Sequence, residues 1–205
     1  MKGLLTLSLL AFFSIVSAET YYVAPDGDDQ NPGTKEKPWS SWARAFKNLK
    51  AGDTLYVRGG VYYVSSGVFL GGKNNGTRRN PIYVLNYPDE KPVLDCNAIN
   101  GGSGFIMQYK EHWVFRGLTV RHAYQDGKDG NVRGFQIYKS NNLKFLECVS
   151  HDNGGPGFVI QDCDTIHFRY CDSYNNCDSL GTSGAKLGGK ADGFQAYNYS
   201  GTQED

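Results

Sequence analysis

WVFRGLTV at residues 113–120, LKFLECVS at 143–150 and IHFRYCDS at 166–173 are three passes through one pattern. Aligned on Phe115, Phe145 and Phe168, they keep register residue by residue across spacings of 30 and 23. Trp113, Leu143 and Ile166 stand two before the phenylalanine, and Leu118, Cys148 and Cys171 stand three after it. Val120, Ser150 and Ser173 follow at five. A second strand repeats in step: Gly104-Phe105, Gly134-Phe135, Gly157-Phe158 and Gly193-Phe194, with Met107, Ile137, Ile160 and Ala196 two residues on. Its phenylalanines lie 30, 23 and 36 residues apart.

A coil of about 23 residues therefore recurs, and its expansions are confined to turns. Short strands at a fixed period, each unable to bury its inward residues alone, are what a parallel β-helix needs. Stacked coils would lay Phe on Phe and aliphatic on aliphatic, and Asn153 and Asn176, 23 apart, could form an amide ladder at a turn. A β-sandwich has no reason to hold residue-level register at this period. Strands are expected at Thr54–Val57, Ile82–Leu85, Trp113–Val120, Leu143–Val149 and Ile166–Tyr170. One helix is expected, because Trp42, Ala45, Phe46 and Leu49 fall at i, i+3, i+4 and i+7. Ser40 or Ser41 can cap it and Gly52 follows as a stop.

Composition agrees with β structure: 26 Gly, 14 Tyr and 11 Phe, with two Met. Lys plus Arg equals Asp plus Glu at 21 each, so no global basic field attracts nucleic acid or a membrane surface. A polyanionic ligand would have to be held by local groups or a metal. Lys2, the apolar run Leu4 to Val16 and the small residues Val16-Ser17-Ala18 read as a secretory signal peptide over residues 1–18. Residues 19–205 are then the exported, extracellular β-helix domain. No later stretch is long and apolar enough to span a bilayer.

The five cysteines are Cys96, Cys148, Cys163, Cys171 and Cys177, an odd number of low density for a disulfide scaffold. Cys148 and Cys171 share a register with Leu118 and are expected in the core as small hydrophobes. No Cys/His spacing suits structural zinc. His112, His122, His151 and His167 are scattered, with no nucleophile constellation around them. Asp26, Asp28 and Asp29 could suggest calcium, but the PDGDDQNPG stretch reads first as a solvated turn. Asn75-Gly76-Thr77 and Asn198-Tyr199-Ser200 are acceptable glycosylation sequons.

The opening segment YYVAPDGDDQNPGTKEKPWSSWARAFKNLKAGDTLYVRGGVYY (21–63) resembles the start of many extracellular β-helix carbohydrate enzymes, in which a helix caps the first coil. From there on, the chain resembles polysaccharide lyase family 9, the calcium-dependent pectate lyases. The carrying stretches are NPIYVLNYPDEKPVLDC (80–96), HWVFRGLTVRHAY (112–124), FLECVSHDNGGPGF (145–158) and CDSYNNCDSLGTSGAKLGGKADGFQAY (171–197). The resemblance implies an all-β, right-handed parallel β-helix with an N-terminal capping helix, Ca2+ as cofactor, and an acidic plant polysaccharide of the pectin or polygalacturonate class as substrate. In β-elimination from a uronate, a base takes the C5 proton, the glycosidic oxygen leaves C4, and a cation on the carboxylate stabilises the enolate-like charge.

By the same resemblance Asp192, in ADGF, is the first calcium ligand. Ser103, Arg133 and Pro156 hold its position in earlier coils, so the acid is confined to one rung. The family's further ligands and its lysine base follow one coil or more later. The chain is therefore expected to lack its C-terminal coils and most of that site, and the complete protein to be a monomer. Lys186, in GAKLGG, and Lys190 precede ADGF rather than follow it, and neither is assigned as base. The rival reading is a non-catalytic β-helix carbohydrate-binding or surface protein.

Overall fold

A computed structural model describes residues 17–99, 101–126, 132–180, 188–189 and 191–198. The chain enters with strand β1 (Thr20–Val23) and helix α1 (Trp42–Asn48). Five coils of three strands follow. They are β2 (Thr54–Val57), β3 (Gly60–Tyr63) and β4 (Val68–Leu70); β5 (Ile82–Asn86), β6 (Pro92–Asp95) and β7 (Phe105–Gln108); and β8 (Trp113–Arg116), β9 (Thr119–Arg121) and β10 (Phe135–Tyr138). The last two coils are β11 (Asn141–Leu146), β12 (Val149–His151) and β13 (Phe158–Gln161), then β14 (Asp164–Arg169), β15 (Asp172–Tyr174) and β16 (Phe194–Tyr197).

Each strand pairs in parallel with its equivalent one coil away, which produces three sheets around one core. Sheet A is β1-β2-β5-β8-β11-β14, sheet B is β3-β6-β9-β12-β15, and sheet C is β4-β7-β10-β13-β16. The register is the one the repeats imply. Phe105, Phe135, Phe158 and Phe194 are successive partners in sheet C, and Phe115, Phe145 and Phe168 in sheet A. Their rings stack: Phe135–Phe158 and Phe158–Phe194 centroids are 4.7 Å apart, and Phe115–Phe145 and Phe145–Phe168 are 5.0 Å apart. Aromatic pairs of this kind add about 0.5–1.5 kcal/mol each beyond area burial.

The segments expected as single strands at 113–120 and 143–149 are each two strands meeting at a corner. Gly117, Glu147 and Tyr170 occupy that corner on successive coils with φ of 65°, 54° and 55°. Only the glycine is at ease in this left-handed region; the others each carry a penalty of roughly 1–2 kcal/mol. Backbone bonds between coils persist through the bend, from Gly117 N to Leu146 O at 3.0 Å and from Glu147 N to Arg169 O at 2.9 Å, and hold it there. Leu118 and Cys148, just past the corner, are fully buried as expected.

The expected helix begins after Ser41, whose Oγ accepts from Arg44 N at 3.2 Å. Its apolar face packs on the core, with Trp42 and Phe46 centroids 5.9 and 5.4 Å from Phe105. Asp29 positions the start of this helix. Its carboxylate accepts from the backbone N–H and hydroxyl of both Ser40 and Ser41, the shortest bond being 2.6 Å from Ser41 Oγ. The far end is held by Asn74, which donates to Phe46 O at 2.6 Å, and Asn74 O in turn accepts from the buried Lys110 Nζ at 3.0 Å.

Candidate functional site

The chain passes from sheet B to sheet C through residues 96–104, 122–134, 152–157 and 175–193, and both expansions of the 23-residue unit fall in these passages. The glycine just before each of β7, β10 and β13 is held in step by the neighbouring coil. Gly104 N donates to Arg133 O at 2.9 Å, Gly134 N to Pro156 O at 3.0 Å and Gly157 N to Asp192 O at 3.0 Å. Ser103, Arg133, Pro156 and Asp192 therefore form one row. The Asp192 side chain is exposed, and its role on the row is carried by its carbonyl.

Beneath this row, the turn carries an internal polar ladder. Asn153 Oδ1 accepts from Ala123 N at 3.0 Å, and Asn176 Nδ2 donates to Ser173 Oγ at 2.9 Å and Ser150 O at 3.2 Å. Ser150 Oγ donates to Gly157 O at 2.9 Å. The expected asparagine stack is thus built from the same two residues that the 23-residue spacing singles out.

A second cluster lies at the ends of the sheet B strands, where Asp95, Arg121, His151 and Tyr174 are successive register partners. Asp95 is buried and accepts from Asn97 N at 3.1 Å and Arg121 Nε at 2.8 Å, with His122 Nδ1 3.1 Å away. Burial pushes its carboxyl up, but these bonds outweigh burial and leave it below the usual carboxylate range. His151 Nδ1 lies 2.5 Å from Asp152 Oδ2, which lowers the Asp152 pKa, and its ring stacks on Tyr174 at 4.8 Å. An open cleft of about 380 Å³ adjoins, lined by Tyr124, Asp152, Asn175 and Cys177 among others.

Two of the four scattered histidines are thus brought onto one flank, each tied to a carboxylate. The signal was available: His151 stands six after Phe145, in step with Arg121 after Phe115 and Tyr174 after Phe168. Neither pair is joined to a serine or cysteine nucleophile by any hydrogen bond among the described residues.

Among the described residues no three His, Cys, Asp or Glu side chains converge as a metal site. Asp192 suits calcium as a hard, exposed oxygen donor, but alone it does not make the six- to eight-oxygen cage that calcium takes. Of the Asp26, Asp28 and Asp29 loop, Asp29 is engaged in holding Ser40 and Ser41 at the start of α1, and Asp28 Oδ1 accepts from Gln30 N at 2.9 Å. All five cysteines are free thiols. Lys186, Lys190 and residues 1–16 of the expected signal peptide lie outside the described residues. Among the described residues no helix is long and apolar enough to cross a membrane.

The comparisons fit this geometry. A family model described as the Pel9A-like, right-handed β-helix region matches residues 21–204. The chain belongs to this family. Curated relatives match the chain at modest identity. Pectate lyase PEL9 of Emericella nidulans is 28% identical over 205 residues, covering 93% of this chain and 46% of that protein. Pectate lyase L of Paenibacillus polymyxa is 31% identical over 169 residues, covering 69% and 37%. The crystal structure of pectate lyase Pel9A superposes with a TM-score of 0.69 at 23% identity, over 89% of this chain and 46% of that one. A rhamnogalacturonan lyase follows at 0.65 and 23%, over 88% and 51%. These two likenesses establish the fold. The chain spans less than half the length of the two curated relatives.

Proposed function

We propose that these coils belong to an exported lyase that cleaves an acidic plant polysaccharide of the pectin or polygalacturonate class by calcium-assisted β-elimination. The observation that carries the reading is the Pel9A-like family match over residues 21–204, together with relatives named pectate lyase. In this reading residues 1–18 direct export, residues 19–205 form β-helix coils, and the complete protein acts as a monomer. Asp192 is a calcium ligand on the row that opens sheet C, and the remaining oxygens and the base come from outside the described residues. The Asp95–Arg121–His122 and His151–Asp152 pairs then shape the flank of the site and do not perform the chemistry. Their carboxylates are occupied by fixed partners.

The test uses the 205-residue chain and a chain extended by the C-terminal coils of a Pel9A-like pectate lyase. The extended protein should release unsaturated, ultraviolet-absorbing product from polygalacturonate with calcium and not with a chelator. Product from neither protein, under conditions where the extended one is folded by circular dichroism, would overturn the reading in favour of a binding protein.

A further inference from the structure

The outer face of sheet A carries charge in a way that neither the fold nor the candidate site explains. Tyr83, Val114, Lys144 and His167 are successive outward-facing register partners on β5, β8, β11 and β14. They floor an open cleft of about 700 Å³ that Arg78 and His112 also line. No aspartate or glutamate lines it. Two arginines elsewhere are paired, Arg58 with Glu90 and Arg121 with Asp95, both at 2.8 Å. Arg78, Lys144 and His167 have no ion-pair partner among the described residues. In a chain with 21 basic and 21 acidic side chains, this is a local excess of positive charge in a concave place.

We propose that this cleft is a non-catalytic docking site for an acidic polysaccharide, separate from the row at Asp192. The proposal rests on the lyase reading only for which polymer is bound. Strand spacing of about 4.8 Å per rung makes the floor roughly 14 Å long from Tyr83 to His167. An extended sugar chain lying across the strands would meet Arg78 at one end and Lys144 with His167 at the other. Asn142, which also lines the cleft, offers an amide beside the cations, while the Thr165 hydroxyl donates to Asp164 Oδ1 at 3.1 Å. Sparse cations interleaved with neutral polar groups match a uronate chain, with one carboxylate and several hydroxyls per residue. The denser charge of a nucleic acid calls for more contacts than the cleft supplies. Asp192 precedes sheet C and this cleft lies on sheet A, so a polymer held here leaves the other face free.

The experiment is affinity electrophoresis of the chain from Glu19 to Asp205, in gels carrying polygalacturonate, fully methyl-esterified polygalacturonate or duplex DNA. Wild type should be retarded by polygalacturonate at low salt, with retardation fading as salt screens the contacts. The double variant Arg78→Ser, Lys144→Ser should bind about tenfold more weakly at an unchanged melting temperature, and Asp192→Ala should bind as wild type does. Equal retardation of the double variant, equal retardation by the esterified polymer, or stronger retardation by DNA would each overturn the proposal. Binding without lyase activity in the extended chain would leave the docking site standing while the proposed reaction fails, so the two readings fall separately.

Discussion

Asn176 Oδ1 accepts two hydrogen bonds from Asn153 one coil below, from its backbone N–H at 3.1 Å and its side-chain amide at 2.9 Å. One oxygen thereby fixes both the turn and the side chain of its neighbour. Asn153 is buried, and its own Oδ1 accepts from Ala123 N. Asn153→Ala would strand the buried Ala123 N–H, a loss of about 1–3 kcal/mol, and would take a donor from the buried Ser150 Oγ and one of two from the part-buried Asn176 Oδ1. Urea unfolding should show a loss of about 2–4 kcal/mol. A loss below about 0.5 kcal/mol would mean that the ladder is incidental to folding.

In three of its four members, Gly104, Gly134 and Gly157, the Gly-Phe repeat has a steric origin, whereas Gly193 has room for a side chain. A Cβ at Gly157 would lie 2.0 Å from Ser173 Oγ, and one at Gly134 would lie 1.9 Å from Ser150 Oγ. The serines of sheet B therefore reach across the turn into the space a side chain would need. Gly157→Ala should cost about 1–3 kcal/mol by overpacking. Adding Ser173→Ala should restore part of that loss, although Asn176 then loses one acceptor. Additive destabilisation in the double variant would show that the clash is not the cause.

The stacked core was legible because inward positions tolerate few residue types, and Phe115, Phe145 and Phe168 declare the period by themselves. The corners were not. Gly117, Glu147 and Tyr170 share one backbone conformation, but only glycine announces it, since inter-coil hydrogen bonds impose it on the other two. The row through Asp192 could be read from the repeat, because Gly193-Phe194 anchors it. The step of Arg121, His151 and Tyr174 could be read from the same repeat, but the link of Arg121 and His122 to Asp95 could not, since those pairs lie 26 and 27 residues apart and meet only once strands β6 and β9 pair. Asp29 likewise reads as a turn residue until α1 is placed beside it.

Asp29 makes the capping helix sensitive to acid. Burial raises its pKa, yet the bonds from Ser41 and Ser40 outweigh burial and leave it below the ordinary value. A folded pKa below the unfolded one means that these bonds stabilise the protein above about pH 4. That contribution is lost as pH falls through the folded pKa. Asp29→Asn should be less stable than wild type at neutral pH, and the gap should close below pH 4. Melting curves of the two proteins that stay parallel down to pH 2 would mean that Asp29 acts without its charge.

At Asp192 the structural role can be separated from the proposed metal-binding one. Its carbonyl holds the row by accepting from Gly157 N, while its carboxylate is exposed. Asp192→Asn and Asp192→Ala keep the carbonyl, so each should change the unfolding free energy of the 205-residue chain by less than about 0.5 kcal/mol. In the chain extended by the C-terminal coils of a pectate lyase, both should raise the calcium concentration needed for half-maximal product formation. Loss of one charged ligand of several predicts a rise of about tenfold or more, partly overcome at saturating calcium. The asparagine variant preserves shape and one oxygen donor, so it should fall between wild type and alanine. An unchanged calcium requirement in both variants would return Asp192 to a turn residue that precedes Gly193 for backbone reasons alone.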